Sequence, residues 1–237
     1  GEVTDDTQMT LVVAEGIATH PENPIPDIGQ RFIAWHDSRP KDIGNTCRIA
    51  IQTAKRFIAS GVDETEAWQR AGEEVAAQSN GQNAGNGALM RTVYPALYYS
   101  KDEAREKAVA IGAMTHRNDS SDKYCRLYVE LIADALNNPE IALQTVREIA
   151  ADMKDLPPTG WVVGSFACAV KAIAQNESFE DAIVQAVNLG GDADTIGAIA
   201  GGLAGVIYGC SEIPERWKNC LANDVRADLD RLAEMAG

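Results

Sequence analysis

The chain has 237 residues, with 21 Lys and Arg against 35 Asp and Glu, a formal charge of −14. That balance argues against nucleic acid or an anionic membrane as the main partner, while leaving room for a small anionic ligand held by local charge. Three histidines without helical HxxxH spacing argue against zinc, and five cysteines without a CxxC pair read as reduced core thiols of a cytoplasmic protein.

The first segment, Thr4-Asp5-Asp6-Thr7-Gln8, leads into Met9 to Ala14. Asp5 with Gln8 three residues on has the pattern of a capping box, so a helix starts here. A cap accounts for one acid and leaves the second unexplained. Residues 19 to 30 read as a Pro-rich loop, Arg31 to His36 as a short helix, and Asn45 or Thr46 as the cap of a helix reaching Ser60. Asp63 and Glu66 form another capping-box pattern, after which Ala67, Trp68, Ala71 and Val75 share one helical face. Trp68 and Trp35 read as core.

Ser79 to Gly87 is a Gly/Asn loop running into Ala88 to Arg91. Such a loop exposes backbone N–H groups that suit phosphate, although it lacks the Gly-Lys-Ser/Thr ending of a P-loop and is by itself more often a turn. Ser100 and Glu103 open a helix ending near Thr115-His116, where a histidine ordinarily meets the helix dipole. Residues 122 to 137 and 139 to 151 read as two helices separated at Asn138-Pro139, and 156 to 160 as a loop. Trp161 to Gln175 and Ser178 to Asn188 read as two further helices, and two more from about Pro214 and Asp224 close the chain.

Between them lies Asn188 to Gly209, NLGGDADTIGAIAGGLAGVIYG. Gly190 and Gly191 mark a turn, then Asp192, Asp194 and Thr195 precede an apolar, Gly/Ala-rich run. The glycines are poor helix formers, so this reads as a buried helix on which another backbone packs closely. Two carboxylates beside an apolar helix repel each other and resist burial, which a hard cation would relieve; plain capping explains one of them equally well. The acids at the two ends of the chain share a pattern, and if they converge, two cations fit better than one. No strand alternation, repeat, membrane span or linker is visible, so the expectation is a single all-α domain over residues 1 to 237.

Taken together, the VTDDTQMT start, GNGALMR at 85 to 91, TH at 115 to 116, TGWVV at 159 to 163 and VNLGGDADTIGAIAGGLAGVIYG at 187 to 209 resemble the ADP-ribosylglycohydrolases. DIGNT at 42 to 46 resembles most the bacterial dinitrogenase reductase-activating glycohydrolase branch. The resemblance implies an orthogonal multi-helix fold with two Mg²⁺ or Mn²⁺ ions in a cleft, ligated by Thr4, Asp5, Asp6, Asp192, Asp194 and Thr195. It further implies ADP-ribose contacts from Gly85, Asn86, Gly87, His116, Trp161, Gly190 and Gly191, and chemistry at Asp5, Asp6 and Asp194. The implied activity is hydrolysis of ADP-ribose from modified protein side chains, most readily arginine. Relatives carry a further N-terminal helix with a glutamate, which would precede Gly1, and Asn83 stands where the branch has an acid. The alternative expectation is therefore an ADP-ribose-binding protein with little or no turnover.

Overall fold

The computed structural model describes residues 1–236. Among them are thirteen α-helices and two short 3-10 turns, and the only β-type pairing is an isolated bridge between Gly85 and Trp161. The first half holds α1 (Asp5–Thr19), α2 (Ile25–Asp37), α3 (Asn45–Ala59), α4 (Glu64–Gln78), a 3-10 turn at Leu89–Arg91, α5 (Tyr94–Tyr98) and α6 (Lys101–Ala113). The second holds α7 (Asp119–Asn137), α8 (Pro139–Asp152), α9 (Val162–Ala174), α10 (Phe179–Asn188), α11 (Ala193–Tyr208), α12 (Glu215–Lys218) and α13 (Asn223–Met235). No described helix is long and apolar enough to cross a membrane.

Local chemistry explains most of the boundaries. Ser100 and Glu103 close the capping box at α6, and Asp63 accepts the N–H groups of Thr65 and Glu66 at α4. Asn138 ends α7 and caps α8, accepting from Ile141 N while Pro139 takes the first helical position, where no N–H is needed. Several boundaries differ from the sequence reading. The stretch read as a Pro-rich loop already contains the start of α2, because Pro26 suits a first helical turn. Gly44, rather than Asn45 or Thr46, is the N-cap of α3. At α1 no capping box forms: Thr4 is the N-cap, and the Gln8 amide reaches the Val3 carbonyl and accepts from Trp35 Nε1. Trp161 is the extended residue before α9 rather than its first turn, because its strand-like backbone pairs with Gly85.

The buried side chains form two apolar clusters. One gathers α1 to α4 with Leu232 of α13, around Trp68, Phe32, Met9 and Ile51. The other gathers α7 to α11, around Tyr128, Phe166, Ile132 and Leu203. The 3-10 turn and α6 feed both, with Leu89 and Ala104 in one and Met90 and Ile111 in the other. Three cysteines, Cys47, Cys125 and Cys168, are buried as expected of core thiols, whereas Cys210 and Cys220 are exposed.

The Gly/Ala-rich helix α11 is central to its cluster, but side chains rather than a backbone exploit its glycines. A Cβ at Gly202 would meet Tyr128 Oη at 2.3 Å, and one at Gly197 would meet Val187 Cγ1 at 2.9 Å. Gly201 and Gly205 have ordinary clearance, with nearest atoms at 4.0 Å. We expect Gly202→Ala to lower stability by about 1–3 kcal/mol through overpacking against Tyr128. Gly201→Ala should be neutral or stabilising by up to about 1 kcal/mol, through helix propensity alone. Urea midpoints of the two variants measure the contrast.

Candidate active site

The N-termini of α1 and α11 meet at the seam of the two clusters, as α1 packs directly on α11. A cleft of about 290 Å³ opens there, lined by Asp5, Asp42, Gly85, Asn86, Gly87, His116, Gly160, Asp192, Asp194 and Thr195, with residues 44–47 and Met90 completing its wall. Asp6 lies beneath it, 1% exposed, and Thr4 borders a neighbouring groove that also reaches Asp5 and Asp42. Asp5 of the first acid pair and both acids of the second thus line one cleft. Trp161, Gly190 and Gly191 are not in the cleft lining: Trp161 is 44% exposed beside Gly160, and the two glycines form the turn leading to Asp192.

That turn is held by backbone geometry. Gly190 and Gly191 have φ of 74° and 59°, a left-handed conformation that disfavours a side chain. At Gly191 a Cβ would fall 1.9 Å from the Pro158 carbonyl oxygen, which accepts the Asp192 N–H at 3.0 Å. The opposite wall is fastened in the same way, as Asn86 N donates to Gly160 O at 2.9 Å and Val162 N to Ala84 O at 3.0 Å. The Asn86 amide nitrogen donates to Ser165 Oγ at 2.8 Å and to Asp192 Oδ2 at 2.6 Å. Asn86 therefore orients an acid of the other wall, and its own backbone N–H is already engaged. Gly85 and Gly87 lie against the His116 ring; added Cβ atoms would sit 3.0 Å from Nε2 and 2.9 Å from Cε1.

The acids are electrostatically uncomfortable. Burial, then the charges of Asp42 and Asp194, raise the Asp5 carboxyl above its usual range. Burial pushes Asp6 up to about 6, against the pull of the Thr4 and Thr195 hydroxyls. Thr4 Oγ1 donates to Asp6 Oδ2 at 2.8 Å, while Asp6 Oδ1 is buried with no hydrogen-bond partner. Burial also drives His116 down to about 3, with the Arg91 charge adding to the effect, so its ring is neutral.

The donor set suits a hard divalent cation: carboxylate and hydroxyl oxygens only, one buried oxygen unpartnered, and charge in excess. Among the described residues no three His, Cys, Asp or Glu side chains stand close enough to form a metal cluster.

Sequence reasoning left out Asp42 and Ser165. Asp42 faces the acids from the segment before α3, and its signal was an acid two residues ahead of the glycine that caps a helix. Ser165 is fully buried near the start of the mostly apolar α9, and a lone hydroxyl in such a run was the available clue. Asn83, in the position of a branch acid, is buried and donates to the Arg117 carbonyl at 3.2 Å, outside the cleft lining.

Comparison with known proteins places the chain in a class of hydrolases. The family model described as ADP-ribosylglycohydrolase matches residues 1–237, and the chain belongs to that family. It is 31% identical to the ADP-ribosyl-[dinitrogen reductase] glycohydrolase of Rhodospirillum rubrum, over 100% of this chain and 81% of that protein. It is 28% identical to the ADP-ribosylarginine hydrolase Tri1 of Pseudomonas putida, over 92% of this chain and 62% of that protein. A solved ADP-ribosylglycohydrolase-related protein complex superimposes with a TM-score of 0.77 at 28% identity, covering 100% of this chain and 83% of that one.

A raised carboxyl stabilises the fold below its unfolded pKa and loses that contribution as pH rises through the folded value. For Asp6 those bounds are 3.8 and about 6. Metal-free protein should therefore lose stability between about pH 4 and pH 6. The Asp6→Asn variant should show a smaller loss over the same window. Urea unfolding of both proteins at several pH values, with chelator present, measures it.

Proposed function

We propose that this chain is a divalent-cation-dependent hydrolase that releases ADP-ribose from modified protein side chains, arginine first among them. The observation that carries the reading is the convergence of the two acid pairs around a buried carboxylate oxygen without a partner. The names of the R. rubrum and P. putida relatives support the substrate class.

Thr4, Asp5, Asp6, Asp192, Asp194 and Thr195 would hold two ions, Mg²⁺ or Mn²⁺. When bound, these would offset the carboxylate charge and supply Lewis-acid polarisation of ligand oxygens. The cleft accepts the ribose between its acidic wall and the Gly85 to Gly87 loop, with the exposed Trp161 indole beside Gly160 for the remainder of the nucleotide. Cleavage at the anomeric carbon passes through an oxocarbenium-like state, whose positive charge the surrounding carboxylates favour. Asp42 lies in the cleft outside the six-residue set, free to take the proton of the attacking water. Asn86 holds Asp192 in place, and the neutral His116 gives the loop its packing surface.

The decisive experiment incubates the protein with arginine- and serine-ADP-ribosylated substrates, with Mg²⁺, with Mn²⁺ and with chelator. Release from the arginine linkage that chelator stops is the expected result. ADP-ribose binding without release from either substrate would instead favour a binding protein, the reading that Asn83 motivates. Asp194→Ala should abolish stabilisation by either cation while leaving helical circular dichroism near wild type, since the acids serve the site more than the fold. Asp42→Asn should slow release by about 10²–10⁴-fold, as expected for a lost general base, with ADP-ribose affinity within a few-fold of wild type. Single-turnover kinetics and calorimetry separate the two effects.

A further inference from the structure

Arg91 is the largest charged side chain in the interior, 0% exposed, and the hydrolytic reading gives it no part. Its hydrogen bonds go to neutral groups: the Gly87 carbonyl, the Ile111 carbonyl at 3.0 Å, Thr115 Oγ1 at 2.8 Å and, more weakly, Cys47 Sγ at 3.8 Å. The Phe32 ring lies 5.2 Å from the guanidinium carbon. Through Gly87 it grips the loop on one wall of the cleft, and through Thr115 it reaches the histidine behind that loop.

Thr115 Oγ1 lies 2.7 Å from His116 Nδ1, and both residues are buried. A guanidinium has only donors, so Thr115 accepts from Arg91 and keeps one proton to give. Two acceptors are within reach of that proton, His116 Nδ1 and the Cys47 sulfur. Sulfur is the weaker acceptor. The hydroxyl therefore donates to Nδ1, and a neutral imidazole accepting at Nδ1 carries its proton on Nε2. Nε2 is the ring atom turned toward the Gly85 to Gly87 loop, and His116 lines the cleft with Asn86 and Asp192.

We propose that Thr115, oriented by Arg91, is a positioning residue that locks His116 in the Nε2–H tautomer, so that the ring offers the cleft a fixed hydrogen-bond donor and no base. The ligand atom it suits is an oxygen with a free lone pair, a phosphate or sugar oxygen rather than an amine or guanidinium. That ADP-ribose supplies this oxygen rests on the function proposed above; the tautomer does not. Proton transfer during cleavage then falls to the carboxylates, since a neutral Nε2–H imidazole whose Nδ1 is occupied has no lone pair to present to the cleft.

Imidazole ¹⁵N spectroscopy reads the tautomer directly, and the chain has only three histidines to assign. Wild-type His116 should show a protonated Nε2 and an unprotonated Nδ1 from about pH 5 to pH 8, across the range where histidines ordinarily titrate. Thr115→Val keeps the shape and removes the hydroxyl; it should lose the fixed pattern and bind ADP-ribose about tenfold more weakly. Thr115→Ser should restore both. A proton on Nδ1 in the wild type overturns the proposal, as does a Thr115→Val protein with wild-type spectrum and affinity. If circular dichroism shows that Thr115→Val does not fold, the wild-type and Thr115→Ser spectra decide. Wild-type protein with the expected spectrum but no affinity for ADP-ribose supports the tautomer and overturns the proposed function.

Discussion

Carboxylates brought to two facing helix N-termini repel one another, and the rest of the molecule is arranged to hold them there. Asp6 shows the strain most plainly: it is 1% exposed, one oxygen has a threonine donor, and the other has none. Moving such a group from its ordinary value of 3.8 to about 6 disfavours the charged form by about 3 kcal/mol. Helix dipoles recover only part of that, because each favours an acid by about 0.3–1 kcal/mol at an ordinary site. The packing of α1 on α11 is what keeps the acids together.

It can do so because each helix is anchored in a different apolar cluster. Met9, Val13 and Ile17 fix α1 in one, and Ile196, Ile199, Ala200 and Leu203 fix α11 in the other. The cleft is thus a property of the seam. The walls are then secured by backbone bonds rather than by further charges: Asp192 N to Pro158 O, and Asn86 N to Gly160 O. The Asn86 amide also crosses the gap, and its donation to Asp192 gives that carboxylate a fixed partner in an otherwise repulsive set.

Behind the loop, a different solution to burial operates. Arg91 carries its charge into the interior, where carbonyls, a hydroxyl and an aromatic face rather than a carboxylate surround it and its Nε is left without a partner. A carboxylate partner would have neutralised it and left the neighbouring imidazole easier to protonate. As arranged, burial and the adjacent cation together hold His116 neutral. The titratable carboxylates thus stand at the front of the cleft, with a neutral imidazole behind the loop.

The sequence by itself determined the helical class, most helix starts and two of the acid pairs that open helices, because these follow from local rules. Ser100 with Glu103, Asn138 with Pro139, and paired aspartates before an apolar run are legible within a few residues. Where local signals competed, they misled: proline inside residues 19 to 30 marks loops and first helical turns alike, and Asp5 with Gln8 mimics a box whose partners are drawn elsewhere by Val3 and Trp35. Only the tertiary structure decided that Asp42 faces the acids, that Asn86 serves Asp192, that Asn83 is tied to the Arg117 backbone and that Gly202 meets Tyr128. Each of these depends on contacts between residues far apart in the chain, such as 86 with 192 and 128 with 202, and no periodicity or spacing encodes which distant surfaces will share a seam.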